Sequence, residues 1–122
     1  MRNVLIVEDE QINAFIIQKF VGEHYAVQLA QNGNEALDLI DTNSFDIILM
    51  DINLGDEELD GIEVMKRLRK IPSKADTPVI AVTAYAMPED RQRFLNEGFD
   101  GYVPKPIIKA EILQQMATLL PE

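Results

Sequence analysis

Apolar residues along the chain fall into two rhythms, and they alternate. Asn3 to Val7 ("NVLIV") and Phe45 to Met50 ("FDIILM") are short runs with almost no polar alternation. Such runs suit strands buried on both faces. Val79 to Ala84 ("VIAVTA") is of the same kind, "AVQLA" (Ala26 to Ala30) alternates weakly, and "GYVPKP" holds a short last strand. Between them the spacing turns helical. Ile12, Phe15, Ile16, Phe20 and Val21 form one stripe. Ala36, Leu37 and Ile40 form another after an Asn32-Gly33 turn, with Asn34 as its expected cap. Ile62 to Leu68 is a third helix, with a basic end suited to the negative pole of its dipole. Pro88 opens a fourth that stops at Gly98, and Ile107 to Leu120 closes the chain with Ile108, Ile112, Met116 and Leu119 or Leu120 on one stripe.

Strands alternating with helices predict an α/β fold, a parallel sheet covered by helices on both faces. In such sheets the site lies beyond the carboxyl ends of the strands. Those ends read Glu8, Asp9 and Glu10 after the first strand, Asp51 after the third, Thr83 after the fourth and Lys105 after the fifth. Carboxylates converging in one cleft repel unless a cation sits among them. An all-oxygen site with few protein ligands suits Mg²⁺, with Mn²⁺ as the alternative. Lys105 and Thr83 could hold the oxygens of a transferring phosphoryl group, and a carboxylate can be its nucleophile. Taken singly, the same residues are also an acidic first turn, a β-branched strand residue and a surface lysine.

Composition narrows the classes. The 122 residues suit one domain, residues 1–122, and carry 11 basic against 21 acidic side chains, a net charge of −10. That excess disfavours nucleic acid and anionic membranes. Cysteine is absent and His24 is the lone histidine, expected in an exposed loop before the second strand. Thiol chemistry, Cys-based zinc sites and a hydrolase triad therefore have little to build on. No glycine-rich loop follows the first strand, which disfavours nucleotide binding. Without a secretory leader or an apolar run long enough for a membrane span, the expected location is the cytoplasm.

Four blocks in order, "VLIVEDE", "DIILMDINL", "VIAVTAYA" and "GYVPKPI", resemble the signature blocks of the response-regulator receiver domain. The resemblance covers essentially the whole chain. It implies the flavodoxin-like fold with strand order 2-1-3-4-5, an order that general accounts of doubly wound sheets take from a member of this family. It implies Asp51 as phosphoacceptor, Asp9 as a direct Mg²⁺ ligand, Glu8 as a ligand through water, and the Asn53 backbone carbonyl as completing the metal site. Thr83 matches the hydroxyl that turns toward the phosphoryl oxygen, and Lys105 the lysine that pairs with it. Pro106 matches a cis bond after Lys105. Tyr102 matches an aromatic switch that moves inward when Thr83 is recruited, and Asn53 and Tyr85 match positions that tune phosphoryl lifetime. The implied donor is a histidine kinase or a histidine phosphotransfer domain. The implied output is a protein bound at the face of helix four, strand five and helix five. Catalysis would be limited to the chain's own phosphorylation and dephosphorylation.

The loop "NLGDEELDG" departs from the family's shorter turn after the phosphoacceptor, with Asp56, Glu57, Glu58 and Asp60 expected on a solvated lip. Two other classes share parts of this pattern. A Mg²⁺-dependent phosphohydrolase needs an acid–base residue two positions beyond its nucleophile, where this chain has Asn53. A constitutive binding module has no need of the set Asp9, Asp51, Thr83 and Lys105.

Overall fold

The computed structural model describes residues 1–55, 58–84 and 87–120. It alternates strictly: β1 (Asn3–Val7), α1 (Gln11–Val21), β2 (Ala26–Ala30), α2 (Gly33–Thr42), β3 (Ile47–Asp51), α3 (Gly61–Arg69), β4 (Val79–Thr83), α4 (Pro88–Glu97), β5 (Gly101–Pro104) and α5 (Lys109–Leu119). All five strands pair in parallel, in the order β2-β1-β3-β4-β5. This is the expected flavodoxin-like arrangement. Among the described residues, no helix is long and apolar enough to cross a membrane.

Side-chain alternation along buried strands builds two cores at once. Leu5, Val7, Ile48, Met50 and Ala81 point to one face, where they meet Ala36 and Ile40 of α2, Val64, Met65 and Leu68 of α3, and Phe94 of α4. Val4, Ile6, Ile47, Leu49, Ile80 and Val82 point to the other, against Ile17 and Val21 of α1 and Ile112 and Met116 of α5. The register then levels the strands. Val7 lies beside Met50, Asp51 beside Val82, and Thr83 beside Pro104, so the four carboxyl ends finish at one edge.

Several boundaries differ from those read in the sequence. Asn32, not Asn34, caps α2, its side chain accepting a hydrogen bond from the Glu35 N–H at 2.9 Å. The third strand starts at Ile47; Asp46 before it is tied to Asn3, whose N–H its carboxylate accepts at 2.7 Å. It also ends on Asp51, which is therefore the last residue of the ladder, not a loop residue beyond it. The last helix starts at Lys109; Ile107 packs on the core, whereas Ile108 is 55% exposed.

The α1 stripe is the largest difference. Ile17 and Val21 are buried and Phe20 packs at the margin, but Ile12 and Phe15 are 68% and 59% exposed, and Ile16 is also open. α1 packs chiefly on β1, β2 and α5, and the flank carrying Ile12, Phe15 and Ile16 is turned to solvent, with the Lys19 ammonium over the Phe15 ring.

Gly61, the first residue of α3, anchors the far side of Asp51. Its N–H donates to the Ile52 carbonyl at 2.9 Å, and a Cβ there would stand 2.2 Å from the Asp51 carbonyl oxygen. Only a residue without a side chain lets the helix start this close. Gly61→Ala is expected to lower stability by roughly 1–3 kcal/mol, the usual range for overpacking, measured by urea unfolding. Wild-type stability would mean that α3 can slide off the strand.

Candidate functional site

The edge where the strands end forms a cleft of about 680 Å³ lined by Glu8, Asp9, Glu10, Asp51, Asn53, Gly55, Thr83, Ala84 and Lys105. Every residue singled out at a strand end in the sequence is here. Each is delivered by a separate element: Glu8, Asp9 and Glu10 by the β1–α1 turn, Asp51 by β3, Thr83 by β4, and Lys105 by the segment after β5. Glu8, Asp51 and Thr83 are buried.

Lys105 organises the charges. Its Nζ lies 2.9 Å from Glu8 Oε1 and 3.3 Å from Asp51 Oδ2. The other Asp51 oxygen, Oδ1, accepts the Asn53 N–H at 3.3 Å. Glu8 Oε2 accepts the Glu10 N–H at 3.2 Å. Glu8 Oε1 is fully buried, and the Lys105 ammonium is the counter-charge beside it. That ammonium is shared with Asp51, so one positive charge faces two buried carboxyl groups. The peptide bond between Lys105 and Pro106 is cis, as the resemblance implied.

Carboxylate oxygens of Glu8, Asp9 and Asp51 lie within 4.8 Å of one another. Three hard oxygen donors converging in one cleft fit a divalent cation of the Mg²⁺ type with water in its remaining positions. Burial, reinforced by the Asp51 carboxyl beside it, pushes the Glu8 pKa up from 4.5 to about 7, and Lys105 only partly offsets this. Burial alone would lower the Lys105 pKa; Glu8 and Asp51 outweigh it and hold the ammonium above its usual value.

Other expectations are met unevenly. Asn53 lines the cleft, and its side-chain oxygen accepts the Gly55 N–H at 3.3 Å. Tyr102 is already turned inward, 9% exposed and stacked on Phe94 with centroids 5.9 Å apart. Burial, and then the charge of Asp90, raises its phenol pKa. His24 is exposed, as expected. On the lip, Asp60 is not a free surface charge: it caps α3, accepting the Glu63 N–H at 2.9 Å. Asp56, Glu57 and Tyr85 lie outside the described residues. The sequence reading missed Gly55, which has φ +76 and whose Cβ would stand 3.5 Å from Asp9 Oδ2. A glycine opening the acidic loop was the available signal.

Comparison with known proteins agrees with this geometry. A family model for the response regulator receiver domain matches residues 4–117. The chain is 37% identical over 120 residues to the polar-differentiation response regulator DivK of Brucella anthropi, covering 98% of this chain and 96% of that protein. It is 36% identical to the response regulator MprA of a Mycobacterium species, of which it spans only 50%. The receiver domain of the Francisella response regulator 1452 superposes with a TM-score of 0.84 at 35% identity, covering 98% and 97% of the two chains. A co-crystal structure of the Saccharomyces cerevisiae histidine phosphotransfer signaling protein Ypd1 with the receiver domain of its downstream response regulator Ssk1 contains a chain matching at TM-score 0.87 and 28% identity, over 98% of this chain and 88% of that one.

Because Glu8 is protonated below about pH 7 in the folded, metal-free chain but only below 4.5 when unfolded, its burial costs stability as pH rises from 4.5 to 7. A divalent cation must displace that proton. Mg²⁺ binding at pH 6 should release protons and tighten as pH approaches 8; Glu8→Gln should remove most of the proton release. Calorimetry in two buffers of different ionisation enthalpy measures it, and binding without proton release would contradict the assignment.

Proposed function

Because the chain belongs to the response regulator receiver domain family of two-component signalling, we propose that it accepts a phosphoryl group from a phosphohistidine donor onto Asp51 and changes its protein contacts in response. The observation that carries this reading is the buried Asp51 carboxylate, paired with Lys105 beside an acidic cluster able to hold a cation. A carboxylate aimed into a cleft beside a lysine is placed to act as a nucleophile.

In the transfer, an Asp51 oxygen forms a P–O bond as the P–N bond of the donor breaks and the imidazole leaves. Lys105 then moves its charge from the Asp51 oxygen to the phosphoryl oxygens, and the Thr83 hydroxyl donates to another. Glu8, Asp9, Asp51 and the Asn53 carbonyl would hold Mg²⁺, whose charge lowers the repulsion between the carboxylate and the incoming phosphoryl group. Departure of Lys105 from Asp51 alters the network around Thr83, and Tyr102 carries the change toward the face of α4, β5 and α5. A downstream protein reads that face. Turnover is confined to the chain's own acyl phosphate, with Tyr85 and Asn53 setting its lifetime. The phosphohydrolase reading has no support from Asn53, whose carboxamide is tied to Gly55. This reading puts the protein in the cytoplasm, as one receiver domain over residues 1–122.

The donor must cover the cleft, and Glu10 at its rim leads directly into α1. The exposed Ile12, Phe15 and Ile16 on that helix give a docking protein apolar area next to the reacting atoms. The donor is read as a histidine kinase or a histidine phosphotransfer domain.

Incubation with acetyl phosphate should give one Mg²⁺-dependent phosphoryl adduct by intact mass, labile to hydroxylamine and absent from Asp51→Asn. An adduct that persists in Asp51→Asn would overturn the assignment. Phe15→Ser should slow transfer from a phosphorylated histidine phosphotransfer domain at least tenfold; equal transfer rates would remove α1 from the docking surface.

A further inference from the structure

β5 is one edge of the sheet, with β4 on one side and no strand on the other. An edge strand leaves main-chain groups pointing outward, open to water or to another chain. At Tyr102 those groups are taken. The Gln115 side chain of α5 accepts the Tyr102 N–H at 3.1 Å and donates its own N–H to the Tyr102 carbonyl at 2.6 Å. A carboxamide offers one donor and one acceptor side by side, so it pairs with a residue's main chain as a neighbouring strand would.

A second feature serves the same contact. A Cβ on Gly101 would stand 2.7 Å from Gln115 Oε1 and 3.3 Å from Ile80 Cγ1. The missing side chain at Gly101 is the space in which the Gln115 amide lies. On the opposite side of the strand, the Tyr102 ring stacks on Phe94, which itself meets Phe99 edge-on at 6.1 Å. Tyr102 is therefore held at two points: its main chain by α5 and its ring by α4.

We propose that Gln115 is a positioning residue of the switch, whose carboxamide fixes the main chain of Tyr102 to α5 so that ring and helix present one surface to the downstream partner. This rests on the receiver reading above for its signalling role, though not for the contact itself. With the Tyr102 Cα fixed, the ring moves by rotating about its own side-chain bonds, and the strand edge does not peel. The same two hydrogen bonds close the β5 edge to pairing with another chain.

Two substitutions reach the clip by separate routes. Gln115→Met keeps the length and removes both hydrogen bonds. Gly101→Ala leaves the amide intact and pushes it away; the displaced atom is the end of a flexible side chain, so the fold should survive. In each, the Tyr102 amide should exchange with solvent at least tenfold faster than in the wild type, with Ile48 and Val82 within twofold. The ring is followed by ¹⁹F NMR of 3-fluorotyrosine protein, the Tyr102 signal being the one lost in Tyr102→Phe. Beryllofluoride with Mg²⁺, which mimics an acyl phosphate, should shift that signal to a single new position in the wild type. In both variants it should give a broadened or divided signal. Wild-type exchange at Tyr102 in both variants would overturn the clip. A wild-type ring response in variants whose amide has been released would overturn its positioning role. If the wild type itself shows no response to beryllofluoride, the receiver reading fails, and amide exchange still decides the clip.

Discussion

The ammonium of Lys105 between Glu8 and Asp51 is the interaction on which the site depends. Each carboxylate is buried, and burying an ion costs several kcal/mol unless a counter-charge compensates. One lysine shared between two acids does not offset the burial of both: the Glu8 pKa still stands at about 7. The chain therefore folds around a charge arrangement that is only partly satisfied. On the proposed reading a bound cation would add a second positive charge beside Glu8, and a phosphoryl group would give Lys105 a third partner after Glu8 and Asp51.

That arrangement works only if its members cannot drift. Three of them end or follow buried strands, and the parallel register levels those strands at one edge. Gly61 brings the start of α3 against the Asp51 carbonyl, so the backbone of that residue is held from the helix side as well. Elsewhere, Arg69 donates to the carbonyls of Ala75, Thr77 and Gly98 and to the Asp100 carboxylate, tying α3 to the entrances of β4 and β5. Asp100 in turn accepts the Val79 N–H at 2.9 Å. The opposite end of the sheet is thus clamped by charge, and the site end is where charge is left to be exchanged.

Much of this was legible in the sequence because fully buried strands have an unmistakable pattern. Runs such as "IILM" tolerate no polar residue, so the polar residue that follows marks the strand end and, by topology, the site. Helix faces were less legible. Periodicity places Ile12, Phe15, Ile16, Phe20 and Val21 on one stripe and passes over Ile17, because which face the sheet covers depends on neighbours that periodicity does not see. Ile17 and Val21 face the core, and Ile12, Phe15 and Ile16 do not. The expected α2 cap falls two residues late, at Asn34 instead of Asn32, because an asparagine suits the position at either site. Gly61 and the Gly101–Gln115 pair were invisible for another reason: their role is a distance between segments far apart in the chain.

The most direct test of the central claim is a beryllofluoride titration followed by ¹⁹F NMR of the bound fluorides, with and without Mg²⁺, in the wild type and in Lys105→Ala. If Lys105 and a divalent cation act together on the Asp51 carboxylate, a bound resonance appears only with Mg²⁺ and is weakened at least tenfold in Lys105→Ala. Tight binding without Mg²⁺, or undiminished binding in Lys105→Ala, would contradict the account.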